Sequence, residues 1–346
     1  MSGYHIPVLL EESISALISD PCGVYADATF GGGGHTAAIL SRLAPSGRVI
    51  AFDRDADAIG NAPEDRRLTL IRSNFRFIHN YVEYFSRKNI REPGNGTCSS
   101  TDGTHPTAGT DLGMPDTRSI PDNIYGNTDG IPSGGLDGII ADLGVSSHQF
   151  DTPERGFSFR FDAPLDMRMD SRAKLTAADI ANTYPEEDIE RILKLYGEVD
   201  NSRKTASLIC RARQSAAIAT TGDLCRAVSG ILPKYAEHKV LAKIFQALRI
   251  EVNQEMASLE KFLYGAGKSL RKGGRLAVIT YHSLEDRMVK NFIRTGHTDG
   301  TVTKDIYGNT GAAMRPVNRK PTVPSEEEIS SNTRARSAKL RIAEKI

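Results

Sequence analysis

The sequence predicts an α/β fold built on a doubly wound parallel sheet, with a helical block inserted into it. Three observations predict this. Strand and helix patterns alternate with short turns from Val24 to Ile71. Four glycines, Gly31 to Gly34, form the first turn between a strand and a helix. A helix-rich stretch over 175–242 separates the fourth sheet strand from the fifth.

Taken in order, His5 to Leu17 reads as a lead-in with apolar residues at helical spacing (Leu10, Ile14, Leu17). Val24 to Thr29 is a short strand, and Thr36 to Leu43 is the helix after the glycine turn. Arg48 to Asp53 is the second strand, Ala56 to Asn61 begins another helix, and Leu68 to Ile71 is the third strand. Residues 91–135 are rich in Gly, Thr, Asp, Asn, Ser and Pro. They read as a long surface loop, because such a composition buries too little surface to offset chain entropy. Inside it, Asn123-Ile-Tyr-Gly-Asn-Thr128 nearly repeats at Asp305 to Thr310, a coincidence of turn-forming residues and not a solenoid repeat. Leu136 to Leu143 is the fourth strand, ending near Asp142. Thr176 caps one helix, and Pro185-Glu-Glu-Asp opens a second with acids that suit the helix dipole. Ala206 to Arg213, Thr221 to Leu232 and a single helix from Ile244 to Leu263 follow. Gly273-Gly274 turns the chain into a fifth strand, Arg275 to Thr280.

Bulk properties narrow the class. The chain has 346 residues, a formal net charge of +1, 39% hydrophobic and 25% charged residues, as in globular proteins. Basic residues gather near 203–213, 315–320 and 334–341, which permits a polyanionic partner without demanding one. Cys22, Cys98, Cys210 and Cys225 show no paired framework, so reduced thiols in a cytoplasmic protein are expected. No signal peptide or membrane span is expected.

The glycine turn lets a ligand touch main chain, and the helix start points N–H groups at one spot. Both NAD and S-adenosylmethionine (SAM) sites use this device. The dinucleotide fingerprint G-x-G-x-x-G started at Gly31 ends on Thr36, so it fails. Asp27, just before the loop, repels a pyrophosphate but suits a methionine ammonium. Asp53 ends the second strand where an acid binds ribose hydroxyls. Asp27, the glycines and Asp53 therefore favour SAM over NAD, and the bland reading is a structural turn with two solvated acids.

Ligands of open parallel sheets bind beyond the carboxyl ends of the strands. That edge gathers Asp142, Ser146, Ser147, His148, Gln149, Tyr281, His282 and Ser283, a polar density that suggests a substrate pocket. Ser146 and Ser283 are equally readable as helix caps. Between the strands, Glu154 to Asp170 interleaves Arg with Phe, readable as base-stacking residues or as loop core. No zinc spacing and no G-x-S-x-G elbow appear, so neither a metal site nor a serine triad is expected.

His5-Ile-Pro-Val-Leu-Leu, Thr29 to His35, Asp53-Arg-Asp, Ser73-Asn-Phe75, Asp142 to Gln149, Glu154 to Phe159, Asp166 to Asp170, Phe245 to Ile250, His282 to Arg287 and Arg334 to Arg341 together resemble the bacterial ribosomal RNA small subunit methyltransferase H family (RsmH, also called MraW). The resemblance covers nearly the whole chain and leaves out mainly 91–135, where the family's connection is usually shorter. It implies a Rossmann-like class I SAM-dependent methyltransferase sheet with an inserted helical domain. The sheet domain is then 1–150 plus 243–346, and 151–242 is the inserted, substrate-recognising domain. The implied reaction is methylation of N4 of a cytidine in the decoding region (P site) of 16S rRNA, within the small ribosomal subunit or its late precursor. A homodimer is compatible with it, and no membrane is involved. By the family's pattern Gly33, Gly34, His35, Asp53, Phe75, Asp142 and Gln149 touch the cofactor. Many amino methyltransferases carry Asn-Pro-Pro-Tyr after the fourth strand; this chain carries Asp142-Leu-Gly-Val. Asp142, or a carbonyl near it, is thus the expected acceptor for N4, with Tyr281 or His282 positioning the base. Arg203, Lys204, Arg211, Arg213, Arg334, Arg336 and Arg341 are expected to hold phosphates or to be a solvated face. The rival readings are a methyltransferase of another RNA, a protein or a small molecule, a NAD oxidoreductase, and a non-catalytic RNA-binding assembly factor.

Overall fold

The computed structural model describes residues 7–91, 123–126, 128, 134–233, 235–302 and 312–346. His5, Cys98, most of the 91–135 stretch and the second hexapeptide at 305–310 lie outside them. The strands are β1 (Val24–Asp27), β2 (Arg48–Asp53), β3 (Leu68–Arg72), β4 (Ile124–Gly126), β5 (Leu136–Asp142), β6 (Leu270–Thr280), β7 (Met314–Pro316) and β8 (Lys339–Lys345). They form one sheet in the order β4-β3-β2-β1-β5-β6-β8-β7. β3, β2, β1, β5 and β6 run parallel; β4 at one edge, and β8 and the edge strand β7 at the other, pair antiparallel with their neighbours. This is a Rossmann-like, doubly wound sheet, extended by β4. From β1 the chain winds outward through β2 and β3, then returns to build β5 and β6 on the other side. The reversal leaves a crevice at the carboxyl ends of β1 and β5, where such sheets take ligands.

The central strands read as apolar runs because helices cover both faces. Alternation along each strand assigns the side chains. Val24 and Ala26 join Ile50, Phe52, Ile78, Phe85 and Phe262 in one core, while Tyr25 joins Ile14, Leu17, Ile39 and Val49 in another. A third core, drawn from Phe157 to Val252, lies among the helices between β5 and β6. Thr176 and Thr220 each close a capping box at the starts of two of those helices. Cys22 is exposed, Cys210 buried and Cys225 half-buried, all as free thiols.

Two expectations need correction. The loop expected over 91–135 contains β4, in which Ile124 and Tyr125 face Ile71 and Leu70 of β3. An edge strand satisfies only one side of its backbone and needs little apolar surface, so its composition hid it. Asn123 fastens it by donating to the Arg72 carbonyl and the Tyr81 hydroxyl, both at 3.1 Å. The single helix expected from Ile244 to Leu263 is two helices, Glu237–Asn253 and Glu255–Ser269, hinged at Gln254 with φ +48°. Asn253 sets the hinge. Its amide donates to the Met167 carbonyl at 2.7 Å and accepts from Met169 N–H at 2.8 Å. The apolar period runs through the break with no glycine or proline, so pattern alone continued the helix.

Candidate active site

The glycine turn forms a main-chain cradle. Gly31 and Gly33 take φ of +51° and +78°, conformations that suit glycine. Gly33 begins the helix Gly34–Arg42 with no side chain capping it, so the helix start faces the cradle with its own N–H groups. At Gly34 a β-carbon would lie 2.2 Å from Pro7 Cγ, so the preceding segment packs directly on the turn. Gly34→Ala must push that segment off the cradle. It is expected to weaken cofactor binding at least tenfold in a calorimetric titration, with unchanged affinity contradicting this geometry.

The acids hold this turn in shape. Asp27 is 1% exposed and spends its oxygens on the loop, accepting from Thr29 N–H at 3.0 Å and from the Thr36 hydroxyl at 2.7 Å. Burial pushes its pKa up to about 6, against the pull of those hydrogen bonds. Its place is beneath the cradle, as its anchor. Asp53 accepts from Gly31 N–H at 2.7 Å and Asp55 N–H at 2.8 Å, and burial lifts it to about 6 as well. The glycine turn is thus tied to the ends of both β1 and β2.

Asp142, at the end of β5, faces the same crevice. Its Oδ1 accepts from the Tyr281 hydroxyl at 2.8 Å, its backbone N–H donates to Thr29 Oγ1 at 2.7 Å, and its Oδ2 lies 4.0 Å from His35 Nδ1. Burial raises Asp142 to about 6; His35 and Tyr281 pull it down, while Asp27 and Glu285 push it further up. His35 is 4% exposed and held below its usual value by burial, so its ring is neutral. Its Nε2 is buried without a hydrogen-bond partner, an acceptor or donor left for a ligand. Tyr281 is driven far up by burial and by Asp142, so its hydroxyl stays a donor.

The structure therefore gathers Asp27, Gly33, Gly34, His35, Asp53, Asp142 and Tyr281 around one crevice. Gln149 reaches it indirectly. It is 5% exposed, donates to Asp55 Oδ2 at 2.6 Å and closes a capping box with Ser146. Phe75 packs edge-on to Phe262 at 5.2 Å, and no contact ties it to the cradle among those described.

His282, not Ser283, caps the helix Ser283–Thr295, and the Ser283 hydroxyl donates instead to Glu198 at 2.8 Å. The ring is enclosed by Glu285, whose N–H donates to His282 Nδ1 at 3.5 Å and whose Oε1 lies 3.1 Å from Nε2. Glu285 also accepts from Tyr281 N–H at 2.9 Å. Burial raises Glu285, but His282, Tyr281 N–H and Arg249 together hold it below its usual value. Both nitrogens of His282 thus lie near Glu285, although its Nε2, like that of His35, is buried with no hydrogen-bond partner. Glu255 brings an oxygen within 4.8 Å of this pair, a metal-capable grouping that was not expected. Arg249 holds both Glu255 oxygens at 2.9 and 3.0 Å and supplies the balancing charge.

Three further residues escaped the sequence reading: Asp55, Glu255 and Glu285. Only Asp55 carried a local signal, as an Asx cap before Ala56. Much of the Arg–Phe stretch is engaged within the protein, while Arg160 and Phe161 are exposed. Arg155 pairs with Asp55 and Asp57, Arg168 with Asp166, and Phe157 is in the third core. Of the basic residues, Arg213 donates to the Ala181 and Tyr184 carbonyls, Arg341 chelates Asp286, and Arg334 pairs with Asp151. Arg203, Lys204, Arg211 and Arg336 are exposed. No described helix is long and apolar enough to cross a membrane.

The family model described as MraW methylase matches residues 2–346. Curated relatives called ribosomal RNA small subunit methyltransferase H are similar along their whole length. The Bacteroides fragilis protein is 49% identical over 342 residues, covering 99% of this chain and 97% of that one. The Parabacteroides distasonis protein is 46% identical over 345 residues, covering 100% and 98%. The Flavobacterium johnsoniae protein is 44% identical over 343 residues, covering 99% and 98%. Matched by that family model over nearly its whole length, and by relatives of 44–49% identity, the chain belongs to the MraW methylase family.

Proposed function

We propose that this chain is a SAM-dependent ribosomal RNA methyltransferase of the small subunit, acting on N4 of a cytidine in the decoding region of 16S rRNA. The observation that carries the reading is Asp142. It is a half-buried carboxylate beside the glycine cradle, fixed by Tyr281 and free of any salt bridge to arginine or lysine among the described residues. The residues present suit the cofactor. A main-chain cradle, the unpartnered His35 Nε2 and the carboxylates of Asp53 and Asp142 fit a cationic amino acid better than a pyrophosphate.

When bound, SAM supplies an activated methyl group, so the chain's task is to prepare the nucleophile. A cytosine amine is a poor one, because its lone pair is delocalised into the ring. Asp142 accepts a hydrogen bond from that amine and turns the lone pair out of conjugation. Tyr281 keeps the carboxylate in place through Oδ1 and leaves Oδ2 toward the crevice. With its pKa near 6, Asp142 also holds the proton the amine gives up and returns it to solvent at neutral pH. Alignment within the crevice supplies much of the rate. The target base leaves its stack to reach the site. The helical block 151–242 carries Arg203, Lys204 and Arg211 on its surface and is the part assigned to RNA recognition.

The test is transfer of a tritiated methyl group to small subunits lacking the modification, followed by nucleoside analysis. Label in N4-methylated cytidine is expected. Label in another nucleoside, or in protein, contradicts the reading, and RNA binding without transfer marks an assembly factor.

A further inference from the structure

The C-terminal segment grips both walls of the crevice, a role that neither the Arg334 to Arg341 block nor any other motif pointed to. On one wall, Glu328 accepts from Leu9 N–H at 2.8 Å, across 319 residues of sequence. Leu9 is fully buried and sits at φ +52°, a conformation leucine adopts only when its surroundings impose it. Leu9 ends the Pro7-Val8-Leu9 segment. Pro7 packs against Gly34, and the Val8 backbone lies close enough to the His35 ring to bear on its charge. Glu328 therefore holds the strand of chain that lies on the cradle.

On the other wall, six residues along, Arg334 pairs with Asp151 and lies 5.2 Å from the centre of the Phe150 ring. Those two residues close the helix Ser147–Asp151, whose Gln149 is joined to Asp55. Ala335 and Ala338 are buried in the same core as Leu9, Phe30 and Ile39, which locks the chain down directly after Arg334. Glu328 is also close enough to raise Tyr281.

We propose that Glu328 and Arg334 are positioning residues for the cofactor: the segment Ser325–Ser337 is a clasp that sets the spacing of the glycine cradle and the Ser147–Asp151 wall. This rests on the reading of the crevice as a SAM site. The bond at Leu9 is charge-assisted and opposes a strained backbone, so its loss frees Pro7 and Val8 to leave the cradle.

The test measures methyl transfer against SAM concentration in the full-length chain. Glu328→Ala is expected to raise the KM for SAM by roughly tenfold with kcat at saturation unchanged. Glu328→Gln keeps a carbonyl oxygen for Leu9 N–H and is expected to restore the KM, which a loss of bulk stability would not allow. Arg334→Ala is expected to raise the KM as well. The double variant should raise it by less than the product of the two, because one segment carries both grips. An unchanged KM in Glu328→Ala, a fall confined to kcat, or full multiplicativity overturns the clasp. If Glu328→Ala does not fold, Glu328→Asp, with its acceptor drawn back by one methylene, carries the same readout. A wild-type chain that transfers no methyl group defeats the functional reading itself, whereas an active wild type with insensitive variants defeats only the clasp.

Discussion

Asp142→Ala is expected to lower single-turnover methyl transfer by about 10²–10⁴-fold, the range for losing a positioned proton acceptor. The carboxylate is half-buried at the end of β5, and its neighbours fix it in place. Alanine removes both oxygens and leaves the Tyr281 hydroxyl and His35 facing an empty space. Asp142→Asn retains one acceptor oxygen and should keep part of the rate. Tyr281→Phe should cost roughly tenfold, since it only frees the carboxylate to rotate. Binding of SAM should change far less than turnover, because the cradle and Asp53 remain. Wild-type turnover in Asp142→Ala removes this residue from the chemistry.

Turnover is also expected to fall by about tenfold per pH unit below pH 6, with a plateau above it. Asp142 must be ionised to accept from the amine, and its pKa lies at about 6. Asp27, lifted to about 6 as well, interacts with it, so the profile reports the pair and not either carboxylate alone. Stability runs the other way. Asp27, Asp53 and Asp142 each have a folded pKa above the ordinary aspartate value of 3.8. Between those values the folded chain binds more protons than the unfolded one. Their contribution is present below pH 3.8 and is lost as the pH rises through about 6. Loss of activity at pH 5 therefore does not come from unfolding driven by these groups. A rate flat from pH 5 to 8 contradicts the role of Asp142.

The sheet was legible because its strands are apolar runs ended by acids and glycines, signals that depend on neighbours in sequence. Arg48 to Asp53 was found with its observed ends, and Asp27, Asp53 and Asp142 were placed at strand ends where the structure has them. What sequence left out depends on distant contacts. β4 is defined by its pairing with β3, and the Gln254 hinge by Asn253 reaching Met167 and Met169. The same holds for chemistry. Asp27 was legible as an acid beside the cradle but not as the anchor beneath it, since that depends on Thr36. Glu255 and Glu285 read as ordinary helix acids until the fold brought them to His282. The basic residues split for the same reason: whether an arginine faces solvent or a carboxylate is decided by tertiary neighbours.

The central claim is that the cradle and its carboxylates hold a sulfonium amino acid with its reactive carbon toward Asp142 and Tyr281. A crystal structure with SAM and cytidine bound tests it most directly. The account predicts the methyl group pointing at the rim between β5 and β6, with the cytosine amine between it and Asp142. A methyl group turned away from that rim, or an amine out of reach of Asp142, contradicts it.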